Sequence, residues 1–280
     1  MKPAPFAFVR PTTLDDALAA LAADPGAKVL AGGQSLVPLL SMRLAAPSAL
    51  VDINALPGLD HVRVDEDGVR VGALARHADV LAHDGARECQ PLLAMALAQV
   101  AHPTIRNRGT TVGSIVHADA AAEMPMVLRL LEGSVDAASV RGRRTVAAAD
   151  LFAGPLESTL VHDEVAVEAF FPALAAGAGV AFEEIARRHG DYALVGVAAH
   201  VRTEGDRVVA ARLGFVSVCD VPTVVDVTDA LDDPAERALA ELDPAADIHA
   251  TADYRVQLVR VLAPRVLAAA VHHAHSRMAP

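Results

Sequence analysis

Cysteine is nearly absent from this 280-residue chain, with only Cys89 and Cys219 present. Two thiols cannot build a disulfide framework or hold a four-thiolate iron–sulfur cluster. Redox chemistry here therefore has to run on an organic cofactor or on another subunit. Tryptophan is missing and aromatic residues make up 3%, which disfavours a protein that stacks successive bases on aromatic platforms. Positive charge is scarce too: 24 Lys and Arg stand against 35 Asp and Glu, a formal net charge of −11. A phosphate-tracking nucleic-acid surface is disfavoured in turn. Long apolar runs are also lacking. The first residues are interrupted by Pro5, Arg10 and Pro11 and contain no signal-peptide core. Residues 256–272 carry Arg260, Pro264 and Arg265, which suits a helix pair or kinked helix better than a membrane span. The expectation is a cytoplasmic protein with no membrane span and no nucleic-acid partner.

What is there is apolar and orderly. Hydrophobic residues reach 53%, charged residues 21%, and the mean hydropathy is +0.33, enough for packed cores in about two domains. Residues 6–10, 28–31 and 50–53 read as short strands. Between them lie a helix running to Ala23, N-capped by Thr12 or Thr13, and an apolar stretch over 36–44. A hairpin follows at 61–64 and 69–72, then helices at 76–82 and 91–100. Residues 104–116, rich in Gly, Thr and Arg, read as irregular. Helix resumes over 120–131 with Pro125 in its first turn. Beyond an Ala/Gly stretch at 173–179, three strands (180–186, 194–202, 208–218) precede helices near 224–231, 234–242 and 254–275, the grouping of a separate α+β unit.

Two stretches have the composition of anion-binding loops. In the first, a strand runs into Ala31-Gly32-Gly33-Gln34-Ser35 and then a helix. Paired glycines let backbone amides approach a phosphate, and Ser35 is placed to cap the helix. That motif alone leaves open a tight strand–helix turn without a ligand. The second, Thr110-Thr111-Val112-Gly113-Ser114, follows Arg106 and Arg108 and precedes Glu123 by nine residues from Ser114. It suits a pyrophosphate, with a carboxylate for a ribose diol; a turn-rich connection with surface arginines is the plainer reading. Other nucleotide and hydrolase motifs are missing: there is no GxGxxG after a strand, no GxxxxGK[ST], no HExxH and no GxSxG.

Residues 31–59, 102–125 and 182–199 (FEEIARRHGDYALVGVAA) together resemble the FAD-binding medium subunits of molybdenum hydroxylases, particularly those of the carbon monoxide dehydrogenase type, over nearly the whole chain. The resemblance implies an α+β architecture. A PCMH-type FAD-binding domain at 1–174, made of two α/β subdomains (about 1–55 and 56–174), would precede a C-terminal domain at 175–280 with a three-stranded sheet and helices. It implies FAD as cofactor, with the pyrophosphate across Ala31, Gly32, Gly33, Gln34 and Ser35 and across Thr110, Thr111, Val112, Gly113 and Ser114. Glu123 would contact the ribose and Tyr192 would lie against the isoalloxazine ring, with Asp191 before it and Glu183 at a position that neighbours the flavin in some relatives. The implied partners are a molybdenum-cofactor large subunit and a [2Fe–2S] small subunit, as a dimer of heterotrimers, so that this chain passes electrons from a partner's clusters to an external acceptor. One position departs from the family's T-[IV]-G-G loop. Val112 replaces the first glycine, and a β-branched residue disfavours positive φ. Two other functions stay open: a self-standing flavin oxidase or reductase, and a scaffold subunit without flavin.

Overall fold

The computed structural model describes residues 2–278. The chain opens with a parallel three-stranded sheet: β1 (Ala7–Val9), β2 (Lys28–Leu30) and β3 (Ala49–Asp52), in the order β1-β3-β2. Its central strand is buried at every residue, as a continuous apolar run between two neighbours should be. Two helices serve as crossovers, α1 (Leu14–Ala23) and α2 (Leu36–Met42). Thr13 caps α1, its hydroxyl accepting from the Asp16 amide, while Asp15 and Asp16 sit in the positive first turn. Ser35 stands before α2 but makes no capping hydrogen bond, against expectation, because it already has helical backbone angles.

The second unit is an antiparallel five-stranded sheet. Its strands are β4 (Val62–Val64), β5 (Gly68–Gly72), β6 (Ser134–Ser139), β7 (Gly142–Ala147) and β10 (Val165–Pro172), ordered β4-β5-β10-β6-β7. A short hairpin, β8 (Phe152–Gly154) and β9 (Glu157–Ser158), lies between β7 and β10. Helices cover the sheet: α3 (His77–Ala82), α4 (Asp84–Cys89), α5 (Pro91–Leu97), α6 (Pro103–Arg106), α7 (Thr111–His117), α8 (Glu123–Leu130) and α9 (Ala148–Leu151). Residues 104–116 were expected to be irregular, yet they supply both α6 and α7. Pro103 at the head of α6 and the Thr110 cap of α7 each start a short helix despite the poor intrinsic propensity between them. Pro125 is the third residue of α8, where its missing amide costs nothing.

A four-stranded antiparallel meander follows: β11 (Ala178–Ala186), β12 (Ala193–Glu204), β13 (Arg207–Val216) and β14 (Thr223–Asp226). The sequence suggested three strands and a helix from 224. Instead Thr223-Val224-Val225-Asp226 pairs with β13, Phe215 facing Thr223 and Arg212 facing Asp226. Its β-branched residues fit a pleated edge better than a helix. Then come α10 (Pro234–Leu239) and α11 (Ala252–Met278), the latter a single helix with Pro264 inside it rather than two helices. α11 packs across β11 and β12. Gly179 makes this close approach possible: a Cβ there would lie 2.1 Å from the Ala270 carbonyl oxygen and 2.5 Å from the Ala274 amide. Gly179→Ala is expected to destabilise the protein by about 1–3 kcal/mol, read from urea midpoints; an unshifted midpoint would contradict this packing. Among the described residues no helix is long and apolar enough to cross a membrane.

The two large units share a face. α8 is buried at seven of its eight residues, and Met126 Sδ would lie 2.6 Å from a Cβ on Gly214 of β13. Glycine on the strand lets the helix sit directly on the sheet. Glu123, the first residue of that helix, is thereby placed at the seam.

Candidate functional site: a two-loop cradle beside an interdomain cleft

Both sequence-identified loops leave their parent elements at the same place. The parallel strand β2 ends at Leu30, and the chain turns through Gly33, whose φ of +72° suits glycine, into α2. Gly32 is the point of closest contact with the second loop. A Cβ there would meet the Arg108 carbonyl oxygen at 2.4 Å, Gly109 Cα at 2.9 Å and the Thr110 amide at 3.0 Å. Only a hydrogen can stand between these two backbones. The structure thus brings residues 31–35 and 110–114 together, although 75 positions separate Ser35 from Thr110 in the chain.

The loops offer different chemistry. Among the described residues, the amides of Gly32, Gly33, Gln34 and Ser35 donate to no protein acceptor. Gln34 folds its side-chain amide back to the Gly32 carbonyl at 3.0 Å. A run of unsatisfied amides on a left-handed turn is an anion-binding nest. In the second loop most donors are already used: the Thr111 amide bonds Ala75, the Gly113 amide bonds Thr110 Oγ1 and the Ser114 amide bonds the Thr110 carbonyl. Thr110, Thr111 and Val112 turn their side chains into the core. Thr111 Oγ1 meets His77 Nδ1 at 3.1 Å, and burial followed by the charge of Arg106 pushes His77 down to about 4, so the imidazole is neutral. Gly113 and Ser114 are the half-buried members of the loop.

Val112 is the informative departure. It lies in the first turn of α7 with negative φ and is 2% exposed, a core residue rather than a phosphate neighbour. The β-branched side chain therefore obstructs no left-handed turn at that position.

Between the first unit and the C-terminal unit lies a cleft of about 410 Å³ lined by Asp119, Ala121, Asp191, Tyr192, Leu194 and Ser217. Tyr192 is 63% exposed, so its ring is open to a planar ligand. The loop that carries it is seated on the first unit through Gly190, at φ +85°, where a Cβ would meet the His102 ring at 2.3 Å. Asp191 is tied back to Arg188 at 3.2 Å. Ser217 adopts φ +61°, donates its amide to the Ala120 carbonyl and leaves its hydroxyl buried without a partner. A strained residue with an orphaned polar atom is a marker of a site.

Glu123 is 7% exposed. Burial, and then the charge of Glu184 and of Asp119, pushes its carboxyl up to about 8. Glu184 on β11, held up at about 7 by burial, has its Oε2 buried and unpartnered. Glu183, the position that neighbours the flavin in some relatives, points to the other face and pairs with Arg265 of α11. Sequence reasoning missed Glu184, Asn54 and Arg76. The last two lie outside both motifs, and only the fold carries them to the loops.

The parallel sheet with its glycine turn, the facing second loop and the cleft at the seam define a dinucleotide-cofactor protein. Residues 4–174 match the family described as "FAD binding domain in molybdopterin dehydrogenase", and the chain belongs to that family, an oxidoreductase family with FAD as cofactor. It is 41% identical to the 6-hydroxypseudooxynicotine dehydrogenase complex subunit alpha of Paenarthrobacter nicotinovorans, over 98% of this chain and 97% of that protein. Among solved structures it is similar to quinoline 2-oxidoreductase from Pseudomonas putida 86, with TM-score 0.91, 36% identity, and coverage of 98% of this chain and 99% of that one. It is also similar to the carbon monoxide dehydrogenase from Hydrogenophaga pseudoflava that lacks the Mo-pyranopterin moiety of the molybdenum cofactor. There the TM-score is 0.92 and the identity 33%, over the whole of both chains. The chain is a medium-subunit flavoprotein of the molybdenum hydroxylase type. The unsatisfied amides of residues 32–35, the Gly32 contact and the orphaned Ser217 hydroxyl fit a bound FAD.

Proposed function

We propose that this chain is the electron-transfer subunit of a molybdenum hydroxylase. It would work beside a molybdenum-cofactor large subunit and a [2Fe–2S] small subunit in a dimer of heterotrimers. The reading rests above all on the row of free amides at Gly32–Gly33–Gln34–Ser35, in a loop that closes on the second loop at Gly32. When bound, FAD supplies one- and two-electron chemistry between the partner's clusters and an external acceptor. Two cysteines, both free thiols, cannot hold those clusters here, so a partner has to. Free thiols also suit a reducing compartment, and we place the assembly in the cytoplasm.

Within this chain, the work is binding and orientation. Residues 1–174 form the flavin domain and 175–280 the domain that closes over it. The first loop, Ala31 through Ser35, would hold the diphosphate with its free amides, and the second loop, Thr110 through Ser114, would support it across the Gly32 contact. Glu123 takes a ribose hydroxyl from its place in the seam. Tyr192 would lie against the flavin ring.

Purified with its partners, the complex is expected to show flavin absorption bands and to release FAD on denaturation in an amount stoichiometric with this chain. Absence of flavin after reconstitution with excess FAD would overturn the reading. Turnover by the isolated chain would instead favour a self-standing flavoenzyme.

A further inference from the structure

A cation without an ion-pair partner bridges the two loops. Arg76 precedes α3 and is half-buried. Its guanidinium donates to two neutral acceptors, the Arg108 carbonyl at 2.6 Å and Asn54 Oδ1 at 2.8 Å. Two of its five N–H donors are thus engaged. Among the described residues it forms no ion pair; the Asp79 carboxylate nearby accepts from the Arg76 backbone amide at 3.1 Å instead. Burial and then the like charge of Arg108 depress its pKa, and the charge of Asp79 offsets only part of this. A half-buried guanidinium with no ion-pair partner and three N–H donors unengaged has capacity for an anion.

Its two acceptors are part of the cradle. The Arg108 carbonyl is the atom against which Gly32 closes. Asn54, in the 3-10 turn Ile53–Ala55 that follows β3, passes the bracing on by donating Nδ2 to the Ala31 carbonyl at 2.8 Å and to Asp52 Oδ1 at 2.7 Å. Arg76 is therefore tied to the last residue before the first loop's glycines and to the residue flanking the second. Neither loop, 31–36 or 109–114, contains a Lys or Arg. Of the other nearby cations, Arg106 is committed to the carbonyls of Val100 and Ala101, while Arg108 is exposed and meets Arg76 through its backbone carbonyl. Backbone amides contribute only partial charges, and the chain as a whole is strongly acidic.

We propose that Arg76 is a cofactor-binding residue that makes charge-assisted hydrogen bonds to the FAD diphosphate, held in place by Asn54 and the Arg108 carbonyl. The inference rests on the FAD reading of the site and adds the source of positive charge. Planar guanidinium geometry suits two phosphate oxygens at once, and the braces fix it before the ligand binds.

The test uses the partner-bound complex stripped of flavin and titrated with FAD, and separately with riboflavin, across a salt series by flavin fluorescence. Arg76→Gln is expected to weaken FAD binding roughly ten- to a hundredfold. It should also flatten the dependence of the dissociation constant on salt and leave riboflavin, which has no phosphate, unchanged. Arg76→Lys should restore the salt dependence and part of the affinity. Should Arg76→Gln fail to fold, Arg76→Lys and Asn54→Ala decide, since the first keeps the charge and the second removes a brace without it. In those variants a wild-type salt slope with weakened FAD affinity supports the proposal, and unaltered affinity overturns it. The proposal also falls if Arg76→Gln binds FAD as wild type does with the same salt slope, or loses FAD and riboflavin equally. The latter result would make Arg76 a strap between loops and nothing more. A wild-type complex that takes up no FAD would sink the site reading itself, a distinct failure.

Discussion

Gly32→Val is expected to lower FAD affinity by more than about a hundredfold, whereas Gly33→Ala costs about tenfold or less. The contrast comes from what each added Cβ meets. At Gly32 it would strike three backbone atoms of the second loop at 2.4–3.0 Å, and backbone cannot step aside as a side-chain tip does. The two halves of the cradle would separate, and the amides proposed to share one diphosphate would no longer converge. At Gly33 the neighbours are the ends of Leu30 and Val37, both at 3.2 Å. There the penalty is chiefly the φ of +72°, worth about 1–2 kcal/mol for an L residue. Fluorescence titration of the stripped complex, with circular dichroism to establish folding, measures both. Near-wild-type FAD binding by folded Gly32→Val would disprove the close-approach role.

The second large effect is a loss of stability with rising pH in the flavin-free chain, traced to Glu123. Its ordinary value of 4.5 is raised to about 8 in the folded protein, so the folded state holds a proton that the unfolded state has released. Stability from such a group is complete below 4.5 and drains away as pH rises through about 8. Glu184, raised to about 7, acts in the same direction. His77 and His200, each lowered to about 4 from 6.5, act oppositely, but only below 6.5. The informative window is therefore pH 6.5–8, where the carboxyls alone of these four still titrate. Urea unfolding there should show stability falling, with a slope for one such group approaching ~1.4 kcal/mol per pH unit. Glu123→Gln, neutral at every pH, should remove much of that slope and be more stable than wild type at the alkaline end. A flat wild-type profile, or an identical slope in Glu123→Gln, would show that this carboxyl is not held protonated.

Much of the local structure was legible in the chain. Thr13 with Asp15 and Asp16 announced α1, and the hairpin signal at 65–68 joined β4 to β5. The Gly32-Gly33 pair marked the first loop, and scarce cysteine directed iron–sulfur chemistry elsewhere. These features depend on a few consecutive residues, and their physics is capping, turn geometry and composition. Short helices were harder. α6 and α7 arise in a stretch of poor propensity because Pro103 and Thr110 begin them and the surrounding core buries them. The fourth strand of the C-terminal sheet was hidden for the converse reason: an apolar run of four residues has no period that separates strand from helix until a partner strand pairs with it.

By itself the sequence determined the family, the cofactor class and the two loops, since glycines, hydroxyls and their order along the chain carry that information. Tertiary structure alone decided which way each side chain in those loops faces. It turned Thr111 and Val112 inward, left the amides of residues 32–35 free, and set Glu184 rather than Glu183 against Glu123. It also brought Arg76 and Asn54, from outside both motifs, to the junction of the loops. The physical reason is that burial and charge depend on neighbours distant in sequence. A glycine can be read as permissive from its type, but only the carbonyl 2.4 Å from its missing Cβ shows what it permits.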